Sequence, residues 1–491
     1  MTARTTAAPA PLLVVGDALL DHDLTGRAER LAPDAPVPVV DGVRRHTRPG
    51  GAALAAWLAA ADGREVTLVT ALGDDPASND LRELLAGRVR LVELPLDGAL
   101  SSKTRVLAEG RPLLRLDDGD GRAGDATHEA RRAIAEAGAV LVADYGRGTA
   151  DALREPLTRA AAHVPVVWDP HPRGEHPVPG VRVATPSATE ARAFASRLGG
   201  AEEQEHDSEL RTAARDADTL VHAWRAAAVT VTLGGRGALL SHGGTPLMVP
   251  SPVTAEGDAC GAGDRFAATA AGLLADGELT ENAVRGAVHA ATRYVAEGGV
   301  RSLGTLDTDT GADADDERRP AAPDGPAEDA LRTAARVRAA GGTVVAAGGC
   351  FDLLHAGHVA LLQAARRTGD CLIVCVNSDA SVRRRKGDGR PLVPQADRIR
   401  VLRALECVDA VAVFDEDTPE RLLGELRPHI WAKGGDYALA ELPEASLVAS
   451  WDGQVVLFPY LDGRSTTGIA ERAALGPRPE HLARTGPRGR R

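Results

Sequence analysis

Two short segments carry residue types and spacings suited to phosphorus chemistry. The first is DACGAGDRFAATAAGLL (258–274). Its Gly-Ala-Gly run leads straight into a helical pattern. The first-turn N–H groups of such a helix, at the positive end of its dipole, form a cradle for an anion. Asp264 stands beside Gly261, Ala262 and Gly263. A carboxylate there does not bind phosphate, but it can take the proton of a hydroxyl that attacks phosphorus. The plainer alternative is a glycine turn capped by an aspartate. The second segment is GGCFDLLHAGHVALLQAAR (348–366). His355 and His358, with a glycine between them, fall where a strand gives way to a helix, so both imidazoles can face one phosphate. His-x-x-His can also ligate zinc, but no third ligand follows at a sensible spacing.

Three weaker signals accompany the first segment. Asp17 follows the apolar run LLVVG and supplies a carboxylate suited to sugar hydroxyls. RPGGAALAAWLAA (48–60) is a di-glycine helix start, where Gly50 and Gly51 let backbone approach a ligand. TLGGRG (232–237) follows a strand and can run along a nucleotide through Thr232, Gly234 and Gly237. Each alone also reads as an ordinary turn; their order is the signal. No Gly-Lys dipeptide occurs, which excludes a Walker A loop. Lysine itself is scarce. Lys103, Lys386 and Lys433 stand against 54 arginines, and all three lie in motif-like segments. They mark places where a planar guanidinium does not serve.

These segments need elements to hold them. Strand-like runs at 66–72, 139–145, 164–170, 181–186 and 228–234 alternate with helical stretches such as 127–137, 208–227 and 282–296, which predicts a mostly parallel sheet covered by helices. A second alternation runs from 331: helix 328–340, strand 343–349, helix 357–368, strand 371–379, helix 395–406, strand 410–414, helix 418–426, and strands 429–435 and 454–460. That is a compact α/β nucleotide-binding pattern. The fold class expected is therefore α/β, with domains at 10–305 and 331–475. An acidic linker at 306–330 separates them, and a basic, Pro/Gly-rich tail follows at 476–491.

Composition narrows the partners. The chain of 491 residues has a net charge of −12, which disfavours a general nucleic-acid binder, and aromatics at 3% disfavour a base-stacking platform. Five cysteines in so long a chain predict no disulfide framework. No run approaches 18 apolar residues, and the N-terminal apolar run is too short for a signal peptide. A cytoplasmic protein without a membrane span is expected.

The order of the glycine motifs over about 10–305 resembles the ribokinase-like sugar kinases. Within them APDAPVPVV (32–40), SSKTRVLAEGRPLLRLD (101–117) and ADYGRG (143–148) are similar to the heptose-phosphate kinases. The resemblance implies Asp264 as catalytic base and Gly261, Ala262 and Gly263 as anion hole. It implies Asp17, Gly50 and Gly51 as sugar ligands, and Lys103 and Arg105 as contacts to the phosphate the substrate already carries. The family's Asn-x-x-Glu element organises Mg²⁺ and ATP phosphates. Here Ser187 stands at the asparagine position and Glu190 is kept, so Glu190 is the expected Mg²⁺ partner, through water. Two further departures are Arg147, where lysine is frequent, and Leu54, where asparagine is usual.

Over about 340–472 the chain resembles the cytidylyltransferase-like nucleotidyltransferases, through HAGH, VNSDASVRRRKGDGRP (376–391), QADRIRVLRAL (395–405), AKGGDY (432–437) and GRSTTG (463–468). Together these are close to the heptose-1-phosphate adenylyltransferase half of a bifunctional protein. The resemblance assigns His355 and His358 to the α-phosphate and Lys386 to triphosphate charge. Ser465, Thr466 and Thr467 would hold phosphate oxygens, and Gly349, Phe351, Asn377, Asp379 and Lys433 would line the nucleotide site. Ala347-Gly348 departs from a frequent threonine-asparagine pair. The activity implied is bifunctional: phosphorylation of a heptose 7-phosphate at O1, then adenylyl transfer from ATP to heptose 1-phosphate, with Mg²⁺. A separate bisphosphate phosphatase and a homodimer are implied partners. Two other readings fit the same residues: a first domain that only binds or dimerises, and a kinase for another sugar joined to a cytidylyltransferase.

Overall fold

The computed structural model describes residues 8–32, 35–109, 111–199, 209–253, 255, 257–300, 330–435 and 444–459. The chain divides into two compact units, Met1–Asp315 and Asp316–Arg491. The expected tail, and the expected linker apart from Ala330, lie outside the described residues, as do Ser465, Thr466 and Thr467.

In the first unit the order is β1 (Leu12–Gly16), β2 (Ala18–Ala32), β3 (Ala35–Gly51), α1 (Ala52–Ala61), β4 (Val66–Leu72), α2 (Pro76–Leu85), β5 (Arg90–Asp97), β6 (Ser102–Ala108), β7 (Arg111–Asp118), β8 (Arg122–Ala123), α3 (His128–Glu136) and β9 (Val140–Ala143). Then come α4 (Thr149–Ala152), α5 (Arg154–Ala161), β10 (Val166–Asp169), β11 (Val183–Ala184), α6 (Ala188–Arg197), α7 (Glu209–Trp224), β12 (Val229–Thr232), β13 (Gly237–Ser241), β14 (Leu247–Pro250), α8 (Ala262–Ala275) and α9 (Thr280–Ala296). The main sheet runs β14-β13-β12-β11-β10-β9-β1-β4-β5-β8. Its seven central strands are parallel, and the antiparallel pairings lie at the two edges. Strands such as LLVVG and VLVA are buried along their whole length, as continuous apolar runs in a two-sided sheet must be. Strand order reverses at β1, between β9 and β4, and ligand crevices open at the carboxyl ends of strands around such a point.

A second sheet, β3-β2-β6-β7, projects from that crevice. The sequence reading did not foresee it. β2 and β3, of 15 and 17 residues, alternate polar and apolar residues poorly, so neither shows a clean strand period. Cross-strand pairing creates them, with Asp21 opposite Arg48 on β3 and Lys103 on β6, and Asp23 opposite His46 and Arg105.

The second unit contains α10 (Ala330–Ala339), β15 (Val344–Gly349), α11 (Ala356–Arg366), β16 (Cys371–Asn377), α12 (Asp379–Lys386), α13 (Gln395–Arg403), β17 (Ala410–Phe414), α14 (Glu420–Leu426), β18 (Ile430–Gly435), α15 (Glu444–Ala449) and β19 (Gln454–Pro459). Its five strands are parallel in the order β17-β16-β15-β18-β19. The reversal point is at β15, the strand that runs into the His355 segment. Two of these helices were absent from the reading, the six-residue α15 and α12. α12 is short and mean-polar, held by its Ser378 cap rather than by an apolar stripe. All five cysteines are free, and Cys371 and Cys375 are buried on β16.

Candidate active sites

In the first unit the Gly-Ala-Gly segment forms the start of α8. Gly261 caps α8 at φ +80°, and a Cβ there would meet the Tyr294 hydroxyl at 2.7 Å and Leu54 Cδ2 at 2.8 Å. Only glycine fits that turn. Leu54 is therefore packed beneath the cradle in an apolar cluster with Leu58, Tyr294 and Val300. Asp264 lies in the first turn of α8, 7% exposed. Burial pushes its carboxyl up to about 7; Asp21 adds to this, while a hydrogen bond from Tyr145 and the charges of Lys103 and Arg48 oppose it. A base poised near neutrality is suited to taking a hydroxyl proton. The donor is the Tyr145 hydroxyl, 2.8 Å from Asp264 Oδ1.

Beside Gly263 and Ala262 opens a cavity of about 210 Å³. It is also lined by Thr232, Gly234, Gly237 and Phe266. The three residues expected along a nucleotide thus converge with the cradle. Ser187 and Glu190 close on each other as a capping box at the start of α6. Glu190 Oε2 accepts from the Ser187 N–H (2.9 Å) and hydroxyl (2.8 Å), and the Ser187 hydroxyl accepts from the Glu190 N–H at 3.3 Å. Ser187 also bridges to Thr232.

The sugar-side residues are placed differently from expectation. Asp17 was expected to hold sugar hydroxyls. Instead both its oxygens accept backbone N–H groups, from Tyr145 (3.0 Å), Arg147 (2.8 Å) and Thr149 (3.0 Å). The carboxylate is used up in anchoring the loop after β9. Asp21 was missed. It lies on β2 with Oδ2 held by Arg48 at 2.6 Å and a buried Oδ1 that has no partner among the described residues. Gly50 passes directly over it, and a Cβ at Gly50 would sit 2.8 Å from that carboxylate. Gly51, at φ +57°, packs on the Asp17 carbonyl. Arg105 was expected to meet a phosphate. Its fork is spent on Asp23 (2.8 and 3.0 Å), with a further bond to Asp258 (3.3 Å). Among the described residues the Lys103 ammonium makes no ion pair. It lies 5.3 Å from the centre of the Tyr145 ring. The period-2 spacing of Asp21 and Asp23 was the available sequence signal for this face.

Two more acids lie near this site, Asp144 buried and Asp169 half-buried. Burial drives Asp169, at the end of β10, well above the carboxylate range, helped by Asp264 and Glu190, while Thr185 donates to it at 2.8 Å. Burial also lifts Asp144 to about 7.

In the second unit His355 caps α11, its Nδ1 accepting from the Gly357 N–H at 3.1 Å. That bond leaves the proton on Nε2. The His358 ring lies 4.0 Å from the His355 ring, centre to centre, and Phe351 packs on it at 5.4 Å. Burial, then the neighbouring His355 and Lys386, lowers His358 to about 4. His358 is therefore neutral at pH 7 and acts through hydrogen bonds rather than charge. Lys386 ends α12 and is exposed.

A cavity of about 240 Å³ at the strand ends gathers Gly349, Asn377 and Lys433 with Gly348, Trp431 and Glu444. Lys433 donates to Glu444 at 2.8 Å. Glu444, missed by the reading, is buried and keeps one oxygen without a partner among the described residues. Asp379 was expected in the nucleotide pocket. Its oxygens are taken by Arg398 (2.7 Å) and the Gln395 N–H (3.1 Å). Arg398, fully buried, also donates to the carbonyls of Cys350, Asn377 and Val393, tying β15, β16 and α13 together. Phe351, at φ +47°, serves as packing for His358 and Gly349. Gly348 explains the departure from threonine-asparagine: a Cβ there would lie 2.3 Å from Trp431 Cη2. The large indole of this chain occupies that space.

Residues 10–307 match the pfkB family carbohydrate kinases, and residues 346–467 match the cytidylyltransferase-like family. A bifunctional protein HldE from Streptomyces coelicolor is 64% identical over 472 residues, 95% of this chain and 97% of that one. Another from Azorhizobium caulinodans is 37% identical over 483 residues, 94% and 98% of the two chains. An Arabidopsis thaliana ribokinase structure with ribose and ATP covers 60% of this chain and 96% of its own, at 23% identity and a TM-score of 0.46. With both halves matched in order and a relative this similar along nearly its whole length, the chain belongs to the bifunctional HldE family, a carbohydrate kinase joined to a nucleotidyltransferase.

Proposed function

We propose that the first unit phosphorylates D-glycero-β-D-manno-heptose 7-phosphate at O1 with ATP, and that the second transfers AMP from ATP to heptose 1-phosphate. The observation that carries the kinase reading is Asp264, a buried carboxyl near neutrality beside a helix-start cradle and a cavity lined by Thr232, Gly234 and Gly237. As O1 bonds to the γ-phosphorus, its proton passes to Asp264, and the bond from phosphorus to the ADP oxygen breaks. The Gly263 and Asp264 amides in the first turn of α8 face the phosphoryl charge, while the Ala262 N–H is engaged by the Ala259 carbonyl at 3.1 Å. Asp21, with its free oxygen against Gly50, holds sugar hydroxyls in the role the sequence suggested for Asp17. Lys103 meets the 7-phosphate, and Arg105 acts behind it by fixing Asp23.

In the second unit the sugar phosphate itself attacks the α-phosphorus and pyrophosphate leaves, so no protein nucleophile is required. His355, donating from Nε2, and His358 stabilise the α-phosphate as it becomes pentacoordinate. Lys386 meets the triphosphate, and Asn377 and Lys433 line the nucleotide site.

Among the described residues no group of three or more His, Cys, Asp or Glu side chains is placed to hold a metal. This suits Mg²⁺ carried on ATP, with phosphates and waters as most of its ligands. Glu190, with Oε2 engaged by Ser187, would reach such a water with Oε1. Bound Mg²⁺ would offset triphosphate charge in both reactions.

Heptose bisphosphate must lose its 7-phosphate between the two steps, so a separate phosphatase partner is required. The exposed Val37, Val43, Leu114 and Leu116 on the projecting sheet favour a homodimer formed through it. No helix among the described residues is long and apolar enough to cross a membrane, and we place both reactions in the cytoplasm. The test is product analysis with both heptose phosphates and either ATP or CTP, on the wild type and Asp264→Asn. The variant should lose about 10²–10⁴-fold in kinase rate and keep adenylyl transfer. A near-normal kinase rate, or CTP preferred over ATP, would overturn the reading.

A further inference from the structure

Tyr145 has no assigned part in the scheme above, yet it meets Asp264, Lys103 and Asp17. Its hydroxyl donates to Asp264 Oδ1 at 2.8 Å. No hydrogen bond from a described residue reaches Oδ2. The ring stacks on His171, with centres 6.1 Å apart and planes 26° apart, and the Lys103 ammonium lies 5.3 Å from its centre. Its backbone N–H is held by Asp17, which grips Arg147 and Thr149 in the same way.

We propose that Tyr145 is the positioning residue of the kinase, tying down Asp264 Oδ1 so that Oδ2 faces the sugar hydroxyl, and that Asp17 positions Tyr145 by clamping its loop. This rests on Asp264 being the base. The hydroxyl stays protonated, because burial and then the charge of Asp264 hold it well above the usual phenol range. It is therefore a permanent donor that stabilises the carboxylate form of Asp264. The other groups facing Asp264 are Asp21 and Asp169, which disfavour that form, and Lys103 and Arg48, which favour it. Tyr294 packs behind the cradle, its phenol raised by burial and then by Cys260 and Asp264. None of these is altered by removing one hydroxyl. The arrangement also explains the placement of Asp17. With three of its roughly four acceptor sites taken by backbone N–H groups, the Asp17 carboxylate fixes the loop that delivers Tyr145 from the end of β9.

The test is the pH profile of kinase kcat/KM for the full-length wild type, Tyr145→Phe, Asp17→Asn and the double variant, with adenylyl transfer on the same samples as a folding control. Loss of a charge-assisted hydrogen bond raises the pKa of Asp264. The acidic limb for Tyr145→Phe should move up by about one unit, and kcat/KM below it should fall about tenfold. On the alkaline plateau the loss should shrink to within about threefold. Asp17→Asn should move the limb the same way, lower kcat rather than raise KM for the sugar, and add little to Tyr145→Phe. A pH-independent loss in Tyr145→Phe would mean that the ring only packs, and would overturn the inference. A raised sugar KM with an unmoved limb in Asp17→Asn would return Asp17 to substrate binding and overturn its part. If Asp264→Asn keeps kinase activity, the underlying reading fails instead, so the two failures are distinguishable.

Discussion

Gly348→Ala isolates one packing decision in the second unit. Gly348 does not adopt a positive φ, so alanine meets no backbone penalty there. On chain entropy alone the change would stabilise the fold by about 0.4–1 kcal/mol. The structure reverses that sign. The added Cβ would lie 2.3 Å from Trp431 Cη2 and 2.6 Å from Cζ2. Although it borders the cavity at the strand ends, the indole is fully buried in a cluster with Ala346, Ile373, Phe414 and Val455, so moving it gives up core packing. Overpacking of this kind costs about 1–3 kcal/mol. With a urea slope of about 2 kcal/mol/M, the midpoint for loss of adenylyl transfer should fall by about 0.5–1.5 M. Pyrophosphate release across a urea series is the assay, and the kinase midpoint serves as internal reference. Trp431→Leu alone should also destabilise, by less than the roughly 3–5 kcal/mol of a truncation to alanine. Combined with Gly348→Ala it should be less harmful than the sum, by at least about 1 kcal/mol, because the methyl then fills space the ring has left. Additive effects, or a stabilised Gly348→Ala, would refute the argument that the indole dictates glycine at this position.

Two other outcomes follow from the sites. Ser187→Asn keeps a good helix cap for α6, so stability should hold, while the longer amide frees Glu190 toward the nucleotide. The Mg²⁺ concentration for half-maximal kinase activity should fall, and a rise or no change in a Mg²⁺ titration would remove this position from metal organisation. Lys386→Arg preserves charge but replaces a compact ammonium by a planar fork. Adenylyl transfer should slow at least about tenfold, about 1.4 kcal/mol of transition-state stabilisation, with kinase turnover unchanged. Full activity would mean that the scarcity of lysine carries no functional information.

The sequence by itself determined the elements whose residues are alike along their length. Apolar runs such as Val66–Leu72 and Val140–Ala143 became buried parallel strands, and the glycine turn before Asp264 became a helix start, because local chemistry leaves those segments few options. Tertiary structure decided what each polar side chain spends its hydrogen bonds on. Asp17 and Asp379 read as ligand-facing carboxylates, yet backbone N–H groups, joined at Asp379 by Arg398, take up their oxygens. Asp21 and Glu444 attracted no notice, yet each keeps a buried oxygen free at a site. A carboxylate's role depends on which donors lie within about 3 Å, and those donors come from segments more than a hundred positions away at Asp17. The projecting sheet follows the same logic. Its strands lack a local period, and only the cross-strand rows Arg48–Asp21–Lys103 and His46–Asp23–Arg105 bring their charges into register.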